Sequence, residues 1–191
     1  MNEPKASKNR LDEFFAVLEE LKKLWAWIVI AAGLPFLARL VSIAPPWPAE
    51  ISLLTSIASV VAMLLSFQAF RGSARKVVTK VVSISICVFL ATSMFYLLML
   101  SQFVYDAPGS KTPRIKGFAC TKLALDVYPE KCPWLGELEL KQSEWTAEYL
   151  WETWSISVVR AALVGLWSVL VIALSMAFGS FIVYQRRQKR S

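Results

Sequence analysis

The sequence predicts an all-α integral membrane protein of four transmembrane helices, and three observations carry that expectation. Four apolar runs, roughly residues 24–44, 51–70, 81–105 and 155–184, are each long enough to cross a hydrocarbon core about 30 Å thick at about 1.5 Å per residue. Lys and Arg gather before the first run, between the second and third, and after the fourth. The other two connections are poor in such clusters, and the longer of them, residues 106–153, holds two of the three cysteines. With 56% hydrophobic residues in 191, a membrane domain over residues 24–184 takes up most of the chain and leaves little for a soluble catalytic domain.

Taken in order, residues 1–23 read as a cytoplasmic amphipathic helix. Leu11, Phe14, Phe15, Leu18 and Leu21 recur at helical spacing up to Trp25, with Asp12, Glu13, Glu19 and Glu20 on the remaining surface. A helix that lies on anionic lipid normally carries Lys and Arg there, so four acids make docking of a cytosolic protein or a second copy on this face an expectation equal to its lying on the bilayer. The first apolar run contains Gly33 and Pro35, and Pro35 predicts a kink. It exceeds the apolar core of about 7–15 residues of a cleaved signal peptide and leads through Pro45, Pro46, Trp47 and Pro48 into another span. The second and third runs are free of charge, which lets both sit in lipid without a buried ion. Residues 185–191 form a basic cytoplasmic tail.

Orientation follows from the basic residues near span ends. Thirteen lie in residues 1–23, 71–80 and 185–191, whereas the link 45–50 has none and residues 106–153 have six against eight acids. Both termini are therefore expected in the cytoplasm, with one large extracytoplasmic loop between the third and fourth helices, as in a multipass protein of the bacterial cell inner membrane. The net charge of +7 is accounted for by this orientation and by contact with lipid head groups, so direct nucleic-acid binding by this chain is not expected.

In an oxidising compartment Cys120 and Cys132 should pair, and closing that loop contributes about 3 kcal/mol in the chain-entropy model. Cys87, inside the third run, reads as a small buried hydrophobe. The stretch from Ser143 to Trp154, with Trp145, Tyr149, Trp151 and Trp154, reads as an interfacial helix entering the fourth span. Arg39 and Arg160 lie at apolar depth near the outer ends of their spans, where Glu50, Asp106 and Glu152 supply carboxylates. These five form a candidate outer-layer charge network, either an ion-paired brace or a site for a lipid head group, an anion or a signal. Ala58/Ala62, Ala161/Gly165 and Ser175/Gly179 have the four-residue spacing that permits close helix packing.

The chain has no histidine, no Gly-rich phosphate loop and no carboxylate in mid-span. No catalytic residues, metal site or cofactor are expected, and the chain reads as a non-enzyme. Disulfide-generating quinone reductases resemble it in span number and in a cysteine pair in the second outer loop, but they need a Cys-x-x-Cys where this chain has Ala44 to Glu50. Tetraspanins share the loop placement but not the Cys-Cys-Gly signature. In length, cytoplasmic ends and near absence of catalytic residues, the chain most resembles the membrane subunit of Kiwa-type anti-phage defence systems. That resemblance implies an oligomeric sensor or anchor that detects attack at the envelope and works with a cytosolic, DNA-binding partner. An oligomeric pore, with Ser52, Thr55, Ser56, Ser59, Ser66 and Gln68 as its polar content, and an immunity or exclusion protein remain alternatives.

Overall fold

The computed structural model describes residues 10–41, 43–48, 50–110 and 112–188, with side chains between 25 and 185. Four long helices carry the chain: α1 (Arg10–Leu40), α2 (Ile51–Phe70), α3 (Arg75–Phe103) and, at the other end of the sequence, α7 (Thr153–Gln188). Between α3 and α7 lies a cap of short elements: β1 (Val104–Tyr105), β2 (Arg114–Ile115), α4 (Lys122–Val127), α5 (Glu137–Gln142) and α6 (Ala147–Leu150). The chain is thus mostly helical but not all-α. Val104 pairs with Ile115 and Tyr105 with Arg114 in an antiparallel ribbon, because the loop folds straight back on the end of α3 and its backbone groups need partners.

Three helices, α2, α3 and α7 over Thr153–Gln185, are long and apolar enough to cross a membrane. The first apolar run differs from expectation. Its apolar helical part, Trp25–Leu40, is shorter than the other three, and α1 ends there. At about 1.5 Å per residue that part covers roughly 24 Å, less than a core of about 30 Å. Ile43 and Ala44 do not extend it, since their amides fold back to the Ala38 carbonyl at 2.9 and 3.2 Å. The helix runs unbroken through Pro35 from Arg10, so the amphipathic segment and the first apolar run share one backbone helix. The proposed docking side chains Leu11, Phe14, Phe15, Leu18 and Leu21, the first nine residues and the basic side chains of the tail lie outside the described residues.

Helix α7 is the centre of the bundle, packed on α3 along one side and α2 along another, while α1 packs on α2. Its buried side chains Ile156, Val159, Leu163, Trp167 and Val171 recur every three or four positions, the spacing of a single helix face. On α2 the facing stripe is largely hydroxylic: Ser52, Thr55, Ser56, Ser59 and Ser66 are all buried. Ser59 Oγ reaches the Ala31 carbonyl of α1 at 2.9 Å and Ser175 Oγ of α7 at 2.7 Å, and Ser56 Oγ donates to the Ala32 carbonyl at 2.7 Å. Small hydroxyls thereby let backbones approach and join α1, α2 and α7 in one layer. One turn along, Gly179 completes the crossing, since a Cβ there would meet the Met63 carbonyl oxygen at 2.6 Å and Ser66 Cβ at 2.9 Å.

Helix α3 is the most outward-facing, with Val78, Ser85 and Tyr96 as its buried residues. Cys87 is exposed on it, contrary to the buried position expected. A span that is apolar all round gives no sign of which side faces neighbouring helices and which faces outward. Tyr96 ties α3 to the α1–α2 link through a 2.6 Å hydrogen bond to the Ile43 carbonyl, and its ring packs on Trp167 with centroids 5.6 Å apart. At the opposite end, Arg75 Nη2 donates to Tyr184 Oη at 2.7 Å, so one member of the basic 71–80 cluster also fastens α3 to α7.

Candidate functional site

The cap is an ordered unit because four tethers fix it. A disulfide joins Cys120 and Cys132, whose Cα atoms are 6.3 Å apart. The strand segment around Cys120 bridges Trp151, with Thr121 N to Leu150 O at 3.0 Å and Glu152 N to Ala119 O at 2.8 Å. Lys131 Nζ bonds Glu139 Oε1 at 2.6 Å, and Glu139 Oε2 accepts the Gly136 amide at 2.9 Å. Its own partner Lys131 and these backbone donors hold the Glu139 carboxyl below the usual range, outweighing burial, which acts the other way. Finally, the Trp145 carbonyl accepts from both Tyr105 Oη at 3.0 Å and Arg114 Nη1 at 2.9 Å.

That last tether explains why the expected interfacial helix over 143–154 is not continuous. Glu144 and Trp145 have φ of 54° and 60°, the left-handed region that side-chain-bearing residues rarely adopt. The pair turns the Trp145 carbonyl toward Tyr105 and Arg114, and two hydrogen bonds offset a cost of order 1–3 kcal/mol per strained residue. The chain restarts as α6, becomes extended at Trp151 and enters α7. Trp151 is 1% exposed, its indole N–H donating to the Pro133 carbonyl at 3.2 Å, whereas Tyr149 and Trp154 are exposed. Gly117 sits against this tryptophan, where a Cβ would meet Trp151 Cβ at 2.7 Å and Ser155 Oγ closer still.

Beneath the cap the apolar contacts do not stop. Ile115, Ala124, Leu135, Leu140, Ala147, Leu150 and Trp151 belong to one buried cluster with Ile51, Tyr96, Ile156, Val159, Leu163, Trp167 and Val171 of the helices. A separate cluster of Ala31, Met63, Phe67, Val78, Ile182 and Val183 packs the other end of the bundle. The cap leaves several large apolar side chains exposed, Leu123, Val127, Trp134, Leu138 and Tyr149, with Leu138 at 73% and Trp134 at 70% exposure.

The five charges read from the sequence take different places. Arg39 and Glu50 are exposed at the end of α1 and the start of α2, and Asp106 is exposed just after β1. Glu152 is half-buried, and its carbonyl caps α7 by accepting from Ser155 N at 2.9 Å and Ser155 Oγ at 2.8 Å. Arg160, two turns into α7, makes no ion pair among the described residues. Its guanidinium lies 6.0 Å from the centre of the Trp47 ring, and its Nε is buried with no hydrogen-bond partner. An unmet buried donor costs on the order of 1–3 kcal/mol, more when charged. It lines a cavity of about 360 Å³ between the α1–α2 link, the β2 strand, α6 and α7, together with Trp47, Arg114 and Glu148. Those three were not picked out from the sequence as partners of Arg160. They come from three distant segments, and the only local sign was a tryptophan set among prolines.

A second cavity, of about 240 Å³, is apolar and opens between α1 and α3 with α7 as its floor. Pro35, Ala38, Phe89, Leu97, Leu170 and Leu174 are among its walls. No protein-family model, no curated protein and no solved structure matches this chain.

Proposed function

We propose that this chain is a non-enzymatic, multipass sensor or anchor subunit of a bacterial anti-phage defence system. It sits in the inner membrane as four spans with both termini cytoplasmic, and couples its extracytoplasmic cap to a cytosolic protein partner. The observation that carries the reading is the continuity of the core from the cap through Trp151, Ile156, Tyr96 and Trp167 into the bundle. A sensor needs an outer surface that cannot move independently of its spans, and a packed interior transmits displacement because it has few voids. Support for an outward receiving face comes from Leu123, Val127 and Tyr149, which are exposed and line one shallow cavity of the disulfide-closed cap, a grouping of apolar side chains that ordinarily marks an interaction surface. The first of the four spans is α1, shorter in its apolar part and continued by the helix that would meet the cytosolic partner.

The pore reading loses its residues. The five hydroxyls of α2 are buried, Ser56 and Ser59 against α1 carbonyls and Ser175, Thr55 and Ser66 on carbonyls of α2 itself, and only Gln68 of the six polar groups is exposed. An assembly of several copies fits the outward apolar surface of α3 equally with lipid.

The test is phage challenge of bacteria carrying the chain with its neighbouring gene. Deleting residues 1–20 should abolish both protection and recovery of the co-encoded protein, with membrane levels unchanged. Full protection by the deleted chain would refute the coupling, and protection against a toxin by the intact chain alone would favour an immunity protein.

A further inference from the structure

We propose that the Arg160 cavity is a receptor for one phospholipid head group, a phosphodiester that carries a primary amine. The inference rests on the reading of α7 as a membrane span. Arg160 lies about seven residues, or roughly 10 Å, below the start of α7, which is the depth from which an arginine reaches the phosphate layer. Arg160 lines the cavity, and its guanidinium makes no ion pair among the described residues, which leaves its charge for an anion there. Arg114 lines the same cavity, fixed by the Trp145 carbonyl and the Tyr105 hydroxyl, and brings it a second positive charge for an oxyanion.

The opposing charge selects the ligand. Glu148 shares the cavity, so a dianionic phosphate monoester would meet a like charge, whereas a singly charged phosphodiester meets two guanidinium groups and offers its amine to the carboxylate. Trp47 adds a ring face for the amine or its methylene groups. The cavity, about 360 Å³, holds roughly ten water volumes, enough for the polar part of a lipid and too small for a folded peptide segment. The same chemistry could arrive in soluble form, as glycerophosphoethanolamine. Two features favour the bilayer as source: the depth of Arg160 and the exposed apolar surface of α7 near Val158.

Native mass spectrometry of the full chain in detergent, titrated with phosphatidylethanolamine, phosphatidylglycerol or glycerophosphoethanolamine, tests the site. Phosphatidylethanolamine should bind about tenfold more tightly than phosphatidylglycerol, a preference worth one charge-assisted contact. Arg160→Gln should lose that binding about tenfold, and Arg160→Lys should restore only part of it because an ammonium is a point charge and cannot hold two phosphodiester oxygens as a guanidinium fork does. Glu148→Gln, at the cavity rim and away from the bundle core, should fold normally and erase the preference for the amine lipid. Equal binding of both lipids by the native chain, or full binding by Arg160→Gln, would overturn the proposal. Tighter binding of the soluble ester than of the lipid would overturn the lipid assignment. The readout is independent of which membrane face the cap occupies, so a wrong topology would show separately as cysteine labelling of the cap from the cytoplasm.

Discussion

Glu139 is buried while Lys131, its partner across 2.6 Å, keeps most of its side chain in water. A glutamine at 139 keeps one acceptor oxygen and turns an NH2 toward the other of its two donors, so Glu139→Gln should lower the unfolding temperature of the cap. The pair also fixes a pH dependence. The folded Glu139 carboxyl is held below its ordinary value of 4.5, so its contribution is complete above 4.5 and disappears as pH falls through the lower, folded value. Lys131 is raised above its ordinary value of 10.5, so its contribution is complete below 10.5 and disappears as pH rises through the higher, folded value. Thermal melts of the chain in detergent should therefore be flat between these limits and fall on the acid side, and the acid fall should be shallower in Glu139→Gln. An equal fall in that variant would assign the acid sensitivity elsewhere. Nothing in the sequence marked this pair, since an Lys eight positions before a Glu is not a helical neighbour.

Helix packing separates three small-residue pairs that look alike in the sequence. At Gly179 the α2 backbone stands where a Cβ would go, whereas Gly165 has nothing within 4 Å. Gly179→Ala should cost about 1–3 kcal/mol through overpacking. Gly165→Ala should be neutral or stabilising by about 0.5–1 kcal/mol, because glycine is a poor helix former. Unfolding titrations of the two variants give the comparison, and equal effects would mean that the α2–α7 crossing is looser than described. The long helices themselves were legible from apolar run length, which depends on local composition alone. The side each helix turns inward was not, as Cys87 shows, because α3 is apolar on every face. Nor was the break at Glu144 and Trp145, where good helix formers give way to a turn held by Tyr105 and Arg114 from another element. The cysteine pair was legible, because two cysteines in one acidic loop have few other partners. The Arg160 cavity was half legible. An arginine in an apolar run announces itself, but its cavity partners are set by how the cap folds over α7.

At the scale of the molecule, two buried clusters divide the bundle, and only one of them includes the cap. The division predicts how a disturbance spreads. Replacing both Cys120 and Cys132 by Ser removes a loop constraint worth about 3 kcal/mol and frees the α4 segment from the strand that bridges Trp151. Trp151 packs in the same cluster as Ile156, Val159 and Tyr96, so the first turns of α7 and the last turns of α3 should exchange amide hydrogens faster in the double variant. Residues around Met63, Phe67, Val78 and Ile182 belong to the other cluster and should keep their protection. Hydrogen exchange read by mass spectrometry on the full chain in detergent resolves these segments. Faster exchange confined to the cap would mean that the cap moves without the spans, and the sensor reading would lose its physical basis. Faster exchange in the cap and the adjoining half of α3 and α7, with the far half protected, is what a cap mechanically joined to its membrane helices requires.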